Sequence, residues 1–379
     1  MNRSRIAGPA AVMALIFALS GLAAGSPRTR ASDSGALASE IHSLLSRTYP
    51  PDRPGAVALV IQDGEVLLRE AFGRADMELE VPLAPDMVFP CGSMTKMFTA
   101  AAVMMLAEEG KLNYSTPVSQ YFPEATPAWS GVMIDHLLSH TSGIVDLFMI
   151  PEWMAQWKEE VSPQALIAFF KDKPLRFEPG AKAEYCNSNY VLLGQIVEKV
   201  SGQTLDQFVT ERIIARLGLK STRFAVKLED IIPRLVKGYL LTPGALQNAP
   251  FLIPWSQAYG VGTVHSTVDE VARFAAALLD GTLLKPGSVA MITTPRTLKD
   301  GKRSPYGYGN LFVFTDGLAP MVRISGSTST TQVCSLTLRD KKASVLVFSN
   351  VTSHDPNTDN PYHPVPMAKK IALMLAKAN

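Results

Sequence analysis

Two residues at the start of a predicted helix have the types and spacing needed for nucleophilic catalysis. The stretch 90–110, PCGSMTKMFTAAAVMMLAEEG, is typical of an apolar helix that ends at a glycine, with Ser93 and Lys96 in its first turn. Side chains at i and i+3 are neighbours, and a serine hydroxyl becomes a good nucleophile when a base removes its proton. A lysine is unfavourable there as a surface charge, because a helix N-terminus is partially positive. Burial and the same positive end would lower its pKa, so we predict Ser93 as nucleophile and Lys96 as base.

A second pair of polar residues could complete this chemistry. In Tyr185-Cys-Asn187, the tyrosine can relay or accept a proton, and the asparagine amide can bind a substrate carbonyl and hold the lysine. The same Y-x-N spacing recurs at Tyr308-Gly-Asn310. Spacing alone therefore does not choose between the two copies.

Other catalytic and metal-binding patterns are weak or missing. His136 and His140 have the i, i+4 spacing of a metal pair, but no H-E-x-x-H motif is present, and a structural role is favoured over zinc. No G-x-S-x-G motif occurs, which argues against an α/β-hydrolase. Cys91, Cys186 and Cys334 are too few and too scattered for a disulfide framework, and small buried apolar residues are favoured over a reactive thiol. We predict no metal or organic cofactor.

Strand patterns lie at both ends of the chain, with helical patterns between them. This arrangement predicts an α+β fold in which one antiparallel sheet, flanked by helices, is built from both chain ends. The region of about 110–290 would be an inserted helical lobe, with the site in the cleft between. The predicted strands are 56–62, 65–72, 311–314, 321–324, 332–338 and 343–349, and the clearer helices are 36–47, 191–200, 205–217, 269–279 and 365–376.

The composition is that of a globular protein with little net charge. The chain has 379 residues, of which 47% are hydrophobic and 18% charged. Without Arg3 and Arg5, its basic residues fall from 36 to 34 and equal the 34 acidic ones. A basic surface for nucleic acid is therefore not expected.

The N-terminal segment has the pattern of a secretory signal peptide. Arg3 and Arg5 precede an apolar run at 11–24, and small residues follow it. The alternative, a membrane anchor, is less favoured because the run is short for a bilayer span, and no other run approaches that length. We expect residues 1–25 to be the signal peptide, 26–35 a flexible segment and 36–379 the functional domain. The mature protein would be periplasmic or secreted, without a stable membrane span.

Several stretches in the same order give the chain a family resemblance. It resembles the serine β-lactamase and penicillin-binding protein superfamily, and most of all the class C β-lactamase-like esterases and D-aminopeptidases. This resemblance covers roughly residues 36–379 and implies a β-lactamase/transpeptidase-like fold. The matching stretches are 89–100 around SMTK, DHLLSHTSG at 135–143, 177–194 through Tyr185-Cys-Asn187, and GVGTVHSTVDEVARF at 260–274.

The resemblance implies a role for each site residue. Ser93 would be acylated, Lys96 and Tyr185 would share the acid and base work, and Asn187 would position substrate. The Ser93 backbone N–H would be half of the oxyanion hole. The other half would come from the strand after the third motif, at about Thr330.

The third motif departs from the family pattern of K-T-G or H-T-G. Without gaps, Gly326-Ser-Thr-Ser places Ser327 at the cation position, Thr328 in the middle and Ser329 at the glycine. The positive charge that would bind a substrate carboxylate is then missing, so Ser327, Thr328 and Thr330 are candidate substrate-binding residues of altered character.

These observations predict a serine hydrolase that cleaves an ester or amide through an acyl-enzyme on Ser93. Small, uncharged acyl esters are the favoured substrates, because they need no cation in the third motif. A D-amino-acid peptidase or β-lactamase activity is the alternative within enzymes. A non-catalytic binding protein with a degenerate third motif is the alternative outside them. The sequence indicates no protein partner.

Overall fold

The computed structural model describes residues 27–378 apart from 126, 225–226, 228, 250–252, 316–319 and 354–358, so the predicted signal peptide lies outside the described residues. Its α-helices are α1 Pro27–Thr48, α2 Thr95–Glu108, α3 Ile134–Leu138, α4 Pro151–Met154, α5 Pro163–Ala168, α6 Asn187–Ser201, α7 Leu205–Val209, α8 Ala215–Leu217, α9 Val268–Leu279, α10 Pro286–Thr293 and α11 Pro364–Lys377. Its strands are β1 Ala56–Gln62, β2 Glu65–Phe72, β3 Arg74–Asp76, β4 Val81–Pro82, β5 Phe89–Pro90, β6 Arg223–Phe224, β7 Tyr239–Thr242, β8 Ala245–Asn248, β9 Val264–Ser266, β10 Phe312–Thr315, β11 Pro320–Ser327, β12 Gln332–Leu338, β13 Ala343–Ser349 and β14 Val351–Thr352.

The main sheet joins the two ends of the chain, as the sequence predicts. Its six strands lie in the order β10-β11-β12-β13-β1-β2, and every neighbouring pair is antiparallel. Asp63 and Gly64 connect β1 to β2, and both have positive φ angles, of 52° and 85°. Such a turn matches the twist of a hairpin, which explains why the Asp-Gly pair marks it in the sequence.

Each face of this sheet packs against helices. On one face, the apolar side chains of α1 and α11 cover Ala58, Val60 and Cys334. On the other face, Val57, Ile324 and Val333 join the large core around α2 and α6. The active-site elements therefore lie on the α2 side of the sheet. Among the described helices, none combines the length and apolar character needed to cross a bilayer.

The N-terminal helix is longer than the sequence predicts. Residues 27–35, expected to be flexible, are helical, and α1 begins at Pro27. Proline is compatible with the first helical position, where its missing N–H costs no hydrogen bond.

The inserted region is mainly helical, as predicted, but it also contains short strands. Two of them, β6 and β9, form a sheet with β5 in the order β5-β9-β6, which joins the residues before the Ser93 turn to the 260–274 stretch. The predicted helix at 205–217 is present as α7 and α8, joined by a π-helical segment at Thr210–Ile214. These strands have two to four residues, too few for an alternating pattern to be visible in the sequence.

Candidate active site

Ser93 lies in a single 3₁₀ turn, Gly92–Met94, which leads directly into α2. Gly92 has a φ of 50°, and a Cβ placed on it would lie 2.5 Å from the carbonyl oxygen of Ser327. Only glycine combines this backbone angle with so close an approach. The glycine before Ser93 thus brings the Ser93 turn against the edge of β11.

Ser93, Lys96 and Tyr185 form one hydrogen-bonded group, as the sequence predicts. Lys96 Nζ donates to Ser93 Oγ over 3.1 Å, and Ser93 Oγ lies 2.6 Å from Tyr185 Oη. Lys96 Nζ also donates to the carbonyl oxygen of Val261 over 3.2 Å, and it lies 4.8 Å from the centre of the Tyr185 ring. Two helices, α2 and α6, therefore hold these residues around one oxygen atom, since Tyr185 lies just before α6.

The lysine is buried in surroundings that favour its neutral form. Its side chain is 0% exposed and lies within the apolar part of α2. Burial lowers the pKa of Lys96 to about 7, and the carboxylate of Asp146 offsets this shift only in part. A substantial fraction of Lys96 is therefore unprotonated near neutral pH, as a base must be.

Tyr185 is held by a neutral histidine. The ring of His140 lies 4.8 Å from that of Tyr185, and His140 Nδ1 accepts a hydrogen bond from the backbone N–H of Cys186. Burial and the neighbouring Lys96 lower the pKa of His140 to about 3. Burial also raises the pKa of Tyr185 above its usual range. Tyr185 is thus a neutral phenol that can pass on a proton. Within the part of the chain that the structure describes, His136 and His140 do not belong to a cluster of three or more potential metal ligands.

Asn187 is placed in the site by a carboxylate that the sequence analysis missed. Both its backbone N–H and its Nδ2 donate to Asp146 Oδ2, over 2.9 and 3.0 Å. The side-chain amide therefore holds Asp146 and not Lys96, which corrects the expectation that Asn187 holds the lysine. Asn187 still lines the cavity beside Ser93, where its amide can meet a substrate. Asp146 has no motif of its own, and only its position close behind DHLLSHTSG could have suggested it.

The edge of β11 shows that the ungapped alignment of the third motif is displaced. A Cβ on Gly326 would lie 1.9 Å from the carbonyl oxygen of Cys91 and 3.0 Å from the Ser93 nitrogen. Gly326 therefore occupies the glycine position of the motif, which the ungapped alignment gives to Ser329, and it lies against the Ser93 turn. Counting back two residues puts Ile324, which is buried, at the cation position. The predicted loss of the basic group stands, but Ile324 and not Ser327 causes it.

The residues that follow Gly326 have different roles from those predicted. Thr328 N donates to the Thr331 carbonyl, so the Thr328 N–H points toward the β12 side. Successive N–H groups of a strand in an antiparallel ladder point to opposite sides. The Ser327 N–H therefore points away from β12 and toward Gly92. Thr330 N instead donates to Thr328 Oγ1 over 3.1 Å. The assignment of an oxyanion donor to Thr330 is therefore wrong, because that N–H is used within the turn. Ser327 and Thr328 line the cavity beside Ser93.

Ser93 lines two cavities. One, of about 640 Å³, is lined by aromatic and aliphatic side chains together with Asn187. The other, of about 360 Å³, is more polar and is lined by Tyr185 and Arg323. Arg323 Nε is buried without a hydrogen-bond partner, and its guanidinium lies 4.3 Å from the centre of the Phe312 ring. Neither cavity could be predicted from the sequence, because the walls of both come from distant parts of the chain.

The remaining candidate residues have structural roles. Cys91, Cys186 and Cys334 are all unpaired and buried, as predicted, and burial raises the pKa of each thiol. In the second Y-x-N copy, Tyr308 Oη donates to Asp135 Oδ1 over 2.5 Å. Tyr308 therefore links the segment before β10 to α3. The tyrosine beside Ser93 comes from the first copy, Tyr185.

Known proteins share this fold and sequence pattern. Penicillin-binding protein 4* of Bacillus subtilis (strain 168) is 28% identical over 306 residues, which cover 77% of this chain and 67% of that protein. The D-amino acid amidase of Ochrobactrum anthropi SV3, solved with D-phenylalanine, gives a TM-score of 0.75 at 21% identity, over 90% of this chain and 98% of that one. EstCE1, a hydrolase with promiscuous acyltransferase activity, gives 0.73 at 20% identity, over 92% and 99%.

At these identities the two solved structures establish the fold, and the family rests on the sequence comparison. A family model described as Beta-lactamase matches residues 48–364, which is most of the chain. The match includes the SMTK turn, the DHLLSHTSG stretch, the Tyr185 motif and the edge of β11. The resemblance and the fold predicted from the sequence are thereby confirmed, and the chain belongs to the beta-lactamase family, within the serine β-lactamase and penicillin-binding protein superfamily.

Proposed function

We propose that this protein is an exported serine hydrolase that cleaves an uncharged ester or amide through an acyl-enzyme on Ser93. The observation that carries this proposal is the hydrogen-bonded group of Ser93, a buried Lys96 and Tyr185. A serine in contact with an amine of pKa about 7 has the base that nucleophilic attack requires. The family supports the same reaction class.

The protonation states divide the proton transfers between two residues. Neutral Lys96 takes the proton of Ser93 Oγ as the hydroxyl attacks the carbonyl carbon, across the 3.1 Å contact. Tyr185, a neutral phenol 2.6 Å from the same oxygen, then passes a proton to the leaving group and is resupplied by protonated Lys96. Water attacks the acyl-enzyme by the reverse transfers.

The negative oxygen of the tetrahedral intermediate needs two N–H donors. The backbone N–H groups of Ser93 and Ser327 lie on the two sides of the contact between Gly92 and β11. We assign the oxyanion hole to this pair, since preorganised amides at such a position stabilise the developing charge. The tight packing of Gly92 and Gly326 sets the spacing of the two donors.

The third motif favours a substrate without a carboxylate. Ile324 supplies no charge at the position where relatives have a cation, and an ester's transition state depends mainly on the oxyanion amides. Arg323 is the specific observation in favour of the second candidate, a β-lactam or D-amino-acid peptide. Arg323 lines the polar cavity together with Ser93, and it is the cation that a substrate carboxylate could meet there.

Covalent labelling separates an enzyme from a binding protein. A fluorophosphonate needs only an activated serine, so it should label Ser93 in the wild type and not in Ser93→Ala. A fluorescent penicillin carries the carboxylate, and it should label at least about tenfold more slowly, as expected where a charge-assisted hydrogen bond is missing. Peptide mapping identifies the labelled serine. A wild type that reacts with neither probe would leave the non-catalytic binder as the better explanation.

Export is a separate prediction, based on Arg3, Arg5 and the apolar run at 11–24. We expect the mature N-terminus to lie near residues 24–27 in periplasmic or culture fluid. N-terminal sequencing of the fractionated protein measures it. Recovery of Met1 from the cytosolic fraction would contradict the signal-peptide assignment.

A further inference from the structure

The larger cavity beside Ser93 has an apolar, aromatic wall. Its volume is about 640 Å³, and Phe148, Trp153, Trp157 and Trp255 contribute large rings to it. No charged side chain is present among the described residues that line it. Ligand pockets of this size and character hold groups far larger than an acetyl unit, which they desolvate almost completely.

Hydrogen bonds and ring stacking hold this wall in place. The rings of Phe148 and Trp153 are stacked 4.6 Å apart with an interplanar angle of 12°, and Trp157 meets Trp153 edge-on at 6.4 Å. Trp153 Nε1 donates to Gln257 Oε1 over 2.6 Å, and Gln257 Nε2 donates to the Glu159 carbonyl over 2.7 Å. Gln257 is 1% exposed. The wall is therefore preformed, so a ligand loses little binding energy in ordering it.

The position of Tyr185 decides which half of the substrate each cavity receives. The residue that protonates the leaving group of the substrate must lie beside that leaving group. Tyr185 lines the polar cavity together with Arg323, whereas Asn187 lines the apolar cavity. The leaving group therefore departs on the polar side of Ser93, and the acyl group lies on the apolar side.

We infer that the acyl group transferred to Ser93 is uncharged, hydrophobic and larger than butyryl, in the class of medium-chain alkanoyl or arylalkanoyl groups. This inference rests on the proposed function, because it assigns a binding site to the acyl half of that reaction. The sequence favours small acyl groups, whereas a cavity of about 640 Å³ has room for a larger one. Met154, although 49% exposed, adds a further apolar side chain to the lining of this cavity.

A series of p-nitrophenyl esters, from acetate to decanoate with 4-phenylbutyrate, tests the inference. We expect kcat/KM to rise about fourfold for each added methylene until the cavity is filled, because each buried methylene contributes that factor. Ala258→Phe narrows the cavity and Trp153→Ala removes part of its wall, so each should lower the octanoate-to-acetate ratio of kcat/KM by about tenfold or more. Leu79→Ala, at a residue 75% exposed, is the control and should leave the ratio unchanged.

The outcomes separate this inference from the proposed function. Two results together would overturn the acyl assignment alone. The wild type would hydrolyse p-nitrophenyl acetate and Ser93→Ala would not, and the kcat/KM of the wild type would stay level or fall as the acyl chain lengthens. An unchanged ratio in both Ala258→Phe and Trp153→Ala would also overturn it. Absence of Ser93-dependent hydrolysis and of fluorophosphonate labelling would remove the proposed function and the inference together.

Discussion

We expect Lys96→Ala to lower the rate of Ser93 acylation by about two decades or more, as removal of a general base does. Among the described residues, Tyr185 is the other side chain hydrogen-bonded to Ser93 Oγ, and it is a neutral phenol because burial raises its pKa. The rate is measured as the second-order rate constant for fluorophosphonate labelling. Lys96→Met keeps most of the buried side-chain volume, and we expect it to lower the acylation rate as much as Lys96→Ala does. An equal loss in both variants would show that the missing amine, and not a cavity, slows the reaction.

The pH dependence gives this prediction a second readout. An amine acts as base only when unprotonated, so kcat/KM for a neutral ester should rise with pH through about 7 and then level off. Lys96→Ala should lose this inflection together with the rate. Lys220→Ala, at an exposed lysine, should keep both. Rapid labelling of Lys96→Ala with an unchanged pH profile would show that another group activates Ser93.

Much of the fold could be predicted because its strongest elements are long and regularly patterned. The β1–β2 hairpin, β12, β13 and the helices at both ends follow apolar periodicity that burial imposes locally. The contact between Ser93 and Lys96 was also predictable, because the two residues lie three positions apart on one helical face. Tyr185 needed the family pattern, since its contact with Ser93 spans 92 residues of sequence.

The rest of the site depends on contacts that leave no local pattern. Asp146 reaches Asn187 across 41 residues, and the apolar cavity brings together side chains from separate helices and loops. The third motif shows the limit most clearly. An ungapped alignment chose Ser329 as the glycine position, whereas the register of β11 and the contact with Cys91 choose Gly326. Strand register is fixed by packing, and a short Ser/Thr-rich segment carries little information about it.

This register makes Gly326→Ala the second variant with a large expected effect. A Cβ at Gly326 would lie 1.9 Å from the Cys91 carbonyl oxygen, which is backbone and cannot turn aside. The edge of β11 must then move away from the Ser93 turn and carry the Ser327 N–H out of the oxyanion hole. Loss of one oxyanion donor typically lowers kcat by about 10²–10³-fold. We expect a loss of that size in kcat for p-nitrophenyl butyrate.

The matched control is Gly287→Ala, because Gly287 lies in α10 with nothing within 4 Å of its Cβ position. Alanine is the better helix former, so this variant should keep full activity and at least wild-type thermal stability. Circular dichroism and thermal unfolding establish whether the Gly326→Ala protein is folded when its kcat is measured. Lys96 and Ser93 are not displaced by a shift of β11 alone, so the pH inflection near 7 should persist in the residual activity. A folded Gly326→Ala protein as active as Gly287→Ala would mean that the β11 edge supplies no oxyanion donor, and the second N–H would have to come from another segment.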